Sequence, residues 1–241
     1  MKYCKYLFFV LAACIFSACT KTDVVEPPAP STSRMLEYKI VNLSGDPIYG
    51  VINDAEKSVK VYLPYHLFMN ILQPEIKVSE GATVTPGSST IVDSVLFQVF
   101  NPGTFKYKVT GKNGGSTDYT LFVEVHQPDI AVDELSPDAA NPVELKASVS
   151  SDVKTNVKLT GKNFLQLAAP YIRPEVIFIN SAGVEVPMYG HSGVNTSGYN
   201  LSEFTFIMPM QDKAAPGLYT VKVRNYAREV TLKNKVKIIA P

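Results

Sequence analysis

The chain has no tryptophan, and its three cysteines, Cys4, Cys14 and Cys19, all lie near its beginning. The residues after Cys19 therefore offer no disulfide, no cysteine nucleophile and no thiolate metal ligand. An excess of either charge is also missing, since 23 Lys and Arg oppose 22 Asp and Glu. A nearly neutral chain has no electrostatic attraction for nucleic acid, so we expect no nucleic-acid partner.

Motifs for catalysis or metal binding are scarce as well. The three histidines, His66, His126 and His191, lie in different segments and lack the spacing of a zinc motif. Segment 190–194, Gly-His-Ser-Gly-Val, begins like a nucleophile elbow, but valine replaces its last glycine. We expect no metal, no cofactor and no catalytic residue, and hence no enzyme. Carboxylates paired from distant segments leave a glycoside hydrolase as the least favoured alternative.

The first nineteen residues have the three parts of an export signal. Two lysines within residues 2–5 are followed by an apolar run over residues 6–16, and small residues at 17–18 precede Cys19. This arrangement is typical of a secretory signal, and the apolar run is short for a membrane span. We therefore predict a signal peptide over residues 1–18.

Segment 15–19, Ile-Phe-Ser-Ala-Cys, resembles the lipobox of bacterial lipoproteins. The resemblance implies that the chain is cut before Cys19 and that acyl chains are attached to this residue. Several acyl chains, at about 0.8 kcal/mol per buried CH₂, would hold the protein firmly on a membrane. The alternative is ordinary cleavage after Ala18, which would release a soluble secreted protein.

Residues 19–33 contain three prolines beside serines and threonines. Such a composition buries little apolar surface and favours an extended tether, so we predict a lipid-anchored flexible linker over 19–33. The charged residues of segment 21–26 resemble the acidic export signal of Bacteroidetes-type lipoproteins. That resemblance implies an outer-membrane location, lipid-anchored at the cell surface, and leaves open which leaflet holds the anchor.

Beyond Ser33, short runs alternate apolar with polar residues, which predicts strands with one face in a core and one in water. A first group of runs lies at 36–40, 59–63, 105–109 and 119–125, and a second at 143–145, 157–159, 176–179, 204–207, 219–223 and 236–239. Many short strands at this spacing indicate β-sandwiches. The pattern predicts no long amphipathic helix, and the best helical candidate is a single turn around residues 65–70.

We therefore predict an all-β chain with two tandem immunoglobulin-like β-sandwich domains, over residues 34–127 and 128–241. The order of segments 135–137, 157–164, 206–209 and 215–223 resembles an IPT/TIG domain, an immunoglobulin-like fold, across residues 130–241. The usual glycine before the second strand is missing from 140–152. Segments 50–53, 59–64, 81–86 and 107–119 resemble the Ig-like domains of Bacteroidetes surface lipoproteins. Proteins with this layout often serve polysaccharide uptake, which implies polysaccharide and outer-membrane transporter proteins as partners.

One polar, glycine-rich stretch, residues 187–201, stands out as a candidate ligand-binding loop. Tyrosine rings stack on the C–H faces of sugars, and amides bond to sugar hydroxyls. The candidate residues are Tyr189, His191, Asn195, Tyr199 and Asn200. The alternative is a long hairpin whose tyrosines fold back onto the sheet.

Together these features favour a non-catalytic cell-surface lipoprotein, a binding or accessory module for polysaccharide capture. The alternative is a structural or adhesive surface protein whose Ig-like domains act as spacers or protein-interaction modules.

Overall fold

The structure is a computed structural model, and it describes residues 32–191 and 198–241, without the side chain of His191. Strands dominate these ranges, and their two helices are the 3-10 helix Tyr65–Leu67 and helix α1, Val95–Phe100. Neither is long and apolar enough to cross a membrane. The predicted signal peptide, Cys19 and residues 19–31 of the predicted linker lie outside the described residues.

The first sandwich has two sheets, with strand orders β2-β1-β5 and β3-β4-β8-β7-β6. Strands β4 and β8 run parallel, and the other pairs are antiparallel. Its strands are β1 Met35–Ile40, β2 Ile48–Tyr49, β3 Val51–Asn53, β4 Ser58–Pro64, β5 Pro74–Val78, β6 Thr83–Thr85, β7 Lys106–Thr110 and β8 Ser116–His126.

Apolar side chains that alternate along the strands fill the space between these two sheets. Along β4, the buried apolar residues are Val59, Val61 and Leu63, as the alternation predicts. Tyr38 and Tyr107 meet across the core with ring centroids 5.5 Å apart and hydroxyl oxygens 3.1 Å apart. Burial raises the pKa of Tyr107 to about 12 and also raises the pKa of Tyr38. Both rings are therefore neutral at pH 7, so the pair buries no charge.

The second sandwich follows one continuous strand path, β10-β17-β15-β12-β13-β14-β11-β9, with β16 paired to β15. Among the strand pairs that the structure describes here, β10 and β17 run parallel and the others run antiparallel. Its strands are β9 Ala131–Val132, β10 Glu144–Lys146, β11 Asn156–Gln166, β12 Glu175–Ile179, β13 Glu185–His191, β14 Gly198–Ile207, β15 Gly217–Asn225, β16 Arg228–Thr231 and β17 Val236–Ile239.

This path folds over on itself between β13 and β14, which pair at two positions only. One of them is Gly190, where an added Cβ would lie 2.3 Å from Cδ2 of Phe204, so a side chain would collide with the core. The two layers thus formed enclose an aromatic core, in which the rings of Phe178 and Phe206 lie 5.9 Å apart. The predicted all-β fold built of β-sandwiches is confirmed.

Helix α1 was not predicted from the sequence. Its segment, Val-Leu-Phe-Gln-Val-Phe, is rich in the β-branched and aromatic residues that favour strands. Both helix ends are capped by side chains, because Ser94 Oγ accepts from the Phe97 amide at 3.2 Å and Asn101 Nδ2 donates to the Phe97 carbonyl at 3.0 Å. The turn expected within 65–70 is present as the 3-10 helix Tyr65–Leu67.

Candidate functional site

The two sandwiches meet in a shared apolar contact, which we call the interdomain junction. Residues 32–241 form one compact unit. Buried side chains of the second sandwich join the core cluster of the first; they are Leu165, Leu167, Ile172, Tyr226 and Ala227. Tyr226 lies in the turn between β15 and β16, and its ring is 5.4 Å from that of Phe68. This turn therefore packs against the first sandwich.

Two buried amide side chains bridge the polar backbone groups of the junction. Gln127 Nε2 donates to the Asn225 carbonyl and Gln127 Oε1 accepts from the Ala227 amide, both at 2.9 Å. Asn225 Oδ1 accepts from the Leu165 amide at 2.6 Å, and Asn225 Nδ2 donates to the Leu165 carbonyl at 2.8 Å. Gln127 stands at the predicted domain boundary, which stays a prediction, and it bonds both ends of the β15–β16 turn.

Beside the junction lies a groove of about 390 Å³, which we call the junction groove. Helix α1 forms one wall, and the segment before β12 together with β12, β13 and β15 forms the other. The lining side chains include Phe97, Phe100, Tyr171, Arg173, Glu175, Tyr189 and Arg224.

Cross-strand register places four of the second sandwich's side chains in one row on the groove side of the sheet. Tyr189 of β13 is opposite Glu175 of β12, Glu175 is opposite Arg224 of β15, and Arg224 is opposite Glu229 of β16. Directly opposed residues point to the same face of a sheet. Arg224 pairs with Glu229 at 2.8 Å and Glu175 at 3.5 Å. Its guanidinium carbon is 4.5 Å from the centroid of the Phe100 ring, so α1 packs on this cation.

Three aromatic rings of the groove face solvent. Phe97 is 50% exposed, Tyr171 66% and Tyr189 63%. Tyr171 is held by its neighbours, because Leu167 and Ile172 exchange two backbone hydrogen bonds and both bury their side chains in the junction. Large aromatic rings normally reduce their contact with water, so three in one groove mark a surface suited to a ligand.

The groove combines ring faces with groups that donate and accept hydrogen bonds. Guanidinium groups donate, and the Glu175 carboxylate accepts. Concave sites of about 300–1,000 Å³ with apolar walls and a few polar groups are typical of small-ligand sites. Within residues 32–191 and 198–241, no cluster of three His, Cys, Asp or Glu could hold a metal ion. The arrangement therefore offers stacking and hydrogen bonding.

The predicted ligand-binding loop is not a single loop. Its flanks are strand ends, since β13 runs to His191 and β14 begins at Gly198. The expectation of a loop over 187–201 is wrong for these flanks, because polar residues and glycine can pair with a neighbouring strand through the backbone, as Gly190 does with Phe206. Asn195 and the His191 side chain lie outside the described residues.

The two tyrosines of this segment lie in different crevices. Tyr189 lines the junction groove, whereas Tyr199 packs edge-on against Tyr65 with ring centroids 6.3 Å apart. Asn200 lies beside Tyr199 in a smaller crevice next to Gln127. Their part in ligand binding stays a prediction. The sequence predicted Tyr189 as a binding residue but neither Tyr171 nor the charged residues of the groove. The only sequence feature that points to them is the cluster of aromatic and charged residues in Tyr-Ile-Arg-Pro-Glu at 171–175.

The fold and the groove define a β-sandwich protein with a rigid, aromatic-lined surface. Residues 39–123, within the first sandwich, match the family model described as "SGBP, N-terminal", a family of glycan-binding surface proteins of Bacteroidetes. The matched stretch is the part of the chain that forms most of β1 through β8. No curated protein matches the sequence.

Among solved structures, the chain is similar to a Bacteroides thetaiotaomicron protein provisionally assigned as a glycoside hydrolase, with 11% identity, 77% of this chain and 85% of that chain covered, and a TM-score of 0.32. It is also similar to Titin-A168169, with 13% identity, coverage of 75% and 93%, and a TM-score of 0.25. Murine CEACAM1b gives 14% identity, coverage of 89% and 89%, and a TM-score of 0.20. At these TM-scores, the likenesses carry no argument about function.

Proposed function

We propose that this chain is a non-catalytic, lipid-anchored accessory protein of the outer cell surface that binds polysaccharide in the junction groove. The observation that carries the proposal is the set of three exposed rings, Phe97, Tyr171 and Tyr189, in one groove. The match of residues 39–123 to a family of glycan-binding surface proteins supports it. Its partners would be a polysaccharide and, through the resemblance to uptake proteins, an outer-membrane transporter.

Sugar rings suit this groove for a physical reason. The axial C–H groups of a pyranose form an apolar face that stacks on an aromatic ring, while its hydroxyls need hydrogen-bond partners. Tyr189 offers such a face directly beside Glu175, its cross-strand neighbour. A spacer or purely structural protein needs no exposed aromatic groove, so the geometry favours capture over the structural or adhesive alternative.

Removing two of the stacking rings is expected to weaken polysaccharide binding about tenfold. The variant is Tyr171→Ala with Tyr189→Ala, and the estimate assumes about 0.5–1.5 kcal/mol per lost ring contact. The measurement is affinity electrophoresis of the full chain in detergent through gels containing a panel of polysaccharides.

The matched control is Tyr49→Ala. Tyr49 is similarly exposed, at 59%, but lies on β2 and outside the junction groove. This control should be retarded as strongly as the wild type. Equal retardation of the double variant in every gel that retains the wild type would show that the groove is not the binding site.

The anchor is tested separately. We expect the mature protein to begin at an acylated Cys19 and to fractionate with outer membranes, because several acyl chains bind a bilayer far more strongly than one. Mass spectrometry of the purified N-terminal peptide measures the acyl mass, and Cys19→Ala should remove both the acyl groups and the membrane association. An unmodified mature N-terminus in the wild type would leave a secreted binding protein instead.

A further inference from the structure

The two arginines of the junction groove differ in how their charges are balanced. Arg224 lies between two carboxylates, 2.8 Å from Glu229 and 3.5 Å from Glu175, and its guanidinium packs on Phe100. Its charge is therefore neutralised within the protein. This arginine belongs to the wall of the groove.

Arg173 is not balanced in this way by any carboxylate that the structure describes. Its guanidinium carbon lies 4.2 Å from the centroid of the Tyr171 ring, and it makes no ion pair with any carboxylate of residues 32–191 or 198–241. Stacking on a ring occupies a face of the guanidinium and leaves its N–H edges available to bond. Arg173 thus presents an unneutralised, planar set of donors beside an exposed aromatic ring.

The backbone fixes the position of Arg173 from both sides. Ile172, which precedes it, is buried in the junction and exchanges hydrogen bonds of 2.9 and 3.0 Å with Leu167. Pro174, which follows it, accepts a hydrogen bond of 2.8 Å from the Gly190 amide, next to Tyr189. The entropic cost of ordering Arg173 around a ligand is accordingly reduced, because the main chain is already placed.

We propose that the junction groove selects acidic polysaccharides, with Arg173 as the residue that pairs with the carboxylate of a uronic acid. The inference rests on the proposed function and adds the substrate class. A planar carboxylate matches the fork of the guanidinium and accepts two parallel hydrogen bonds. Stacking on Tyr171 and Tyr189 serves neutral and acidic sugars alike, so the selectivity resides in Arg173.

The test compares each polyuronate with its own methyl ester, which keeps the backbone and removes the charge. Affinity electrophoresis of the full chain in detergent would use polygalacturonate, alginate and hyaluronate, each with its methyl ester, together with neutral glucans, galactans and mannans. At low salt we expect at least one polyuronate to be bound about fivefold more tightly than its ester. The preference should shrink at high salt, since exposed ion pairs are screened.

Arg173→Gln is expected to remove this preference, so that the variant binds each polyuronate no more tightly than its methyl ester. The matched control is Lys146→Gln, which removes an exposed cation on β10, outside the groove. Circular dichroism of both variants should equal that of the wild type, because neither side chain is buried.

Two outcomes would overturn the inference: equal binding of every acid and its ester, or a preference that survives in Arg173→Gln. Retention of neutral polysaccharides alone would refute the acidic class and leave the proposed function standing. Retention of no polysaccharide at all would refute the proposed function itself.

Discussion

Replacing Asn225 by alanine is expected to lower the free energy of unfolding by about 2–6 kcal/mol. The Asn225 side chain is fully buried and satisfies both backbone groups of Leu165. Alanine would leave one buried N–H and one buried C=O without a partner, and each such loss costs about 1–3 kcal/mol. The site lies in the interdomain junction, so the loss should also loosen the wall of the groove.

Urea denaturation followed by circular dichroism measures this loss. The matched control is Asn141→Ala, because the Asn141 side chain is exposed and, among the described residues, bonds only to Asp138. Surface changes of this kind usually alter stability by less than about 0.5 kcal/mol. An Asn225 variant that unfolds at the same urea concentration as the control would show that these two hydrogen bonds do not hold the junction.

Gly161→Ala is expected to cost about 1–3 kcal/mol and to separate β9 from β11. An added Cβ at Gly161 would lie 2.0 Å from the Ala131 carbonyl oxygen and 2.7 Å from Cζ of Phe164. The nearer of these atoms belongs to the backbone of β9, so β9 must move as a whole to make room for the methyl group. Strand β9 pairs with β11 at two positions and lies at one end of the strand path, so it can shift without displacing another strand.

Hydrogen exchange reports the predicted separation directly. The Asp133 amide donates to the Thr160 carbonyl at 2.9 Å, and this amide should exchange faster in Gly161→Ala. Gly217→Ala serves as the control, because the nearest atom to its added Cβ is 4.0 Å away. Unchanged protection of Asp133, together with wild-type stability, would mean that β9 accommodates the methyl group.

Alternation along the chain predicted the main strands because it is a local property. Val59, Val61 and Leu63 are buried where period two places them. Alternation could not predict the parallel pairing of β4 with β8, because the register between strands that are distant in the sequence depends on how the whole core packs. Gly161 lies in segment 157–164, which resembles part of an IPT/TIG domain, but the close approach of the Ala131 carbonyl that requires glycine depends on the three-dimensional fold.

The sequence did not predict most of the residues that form the junction groove. Phe97 lies in a helix whose composition resembles a strand, Tyr171 in the segment before β12, and Tyr189 in a strand expected to be a loop. These three residues are far apart in the chain, and only the packing of one sandwich on the other brings them together. In the sequence, nothing separates Arg173 from the rest of the 23 Lys and Arg residues. The structure separates it, because the neighbouring carboxylates of Glu175 and Glu229 pair with Arg224 and not with Arg173.

The buried amide of Gln127 has a mechanical consequence. It bonds both ends of the β15–β16 turn at the point where the chain passes from one sandwich to the other, so this crossing offers no free pivot. Relative bending of the sandwiches would have to break these bonds and expose the Tyr226 ring. The two walls of the junction groove, one from each sandwich, are therefore held in a fixed relation to each other.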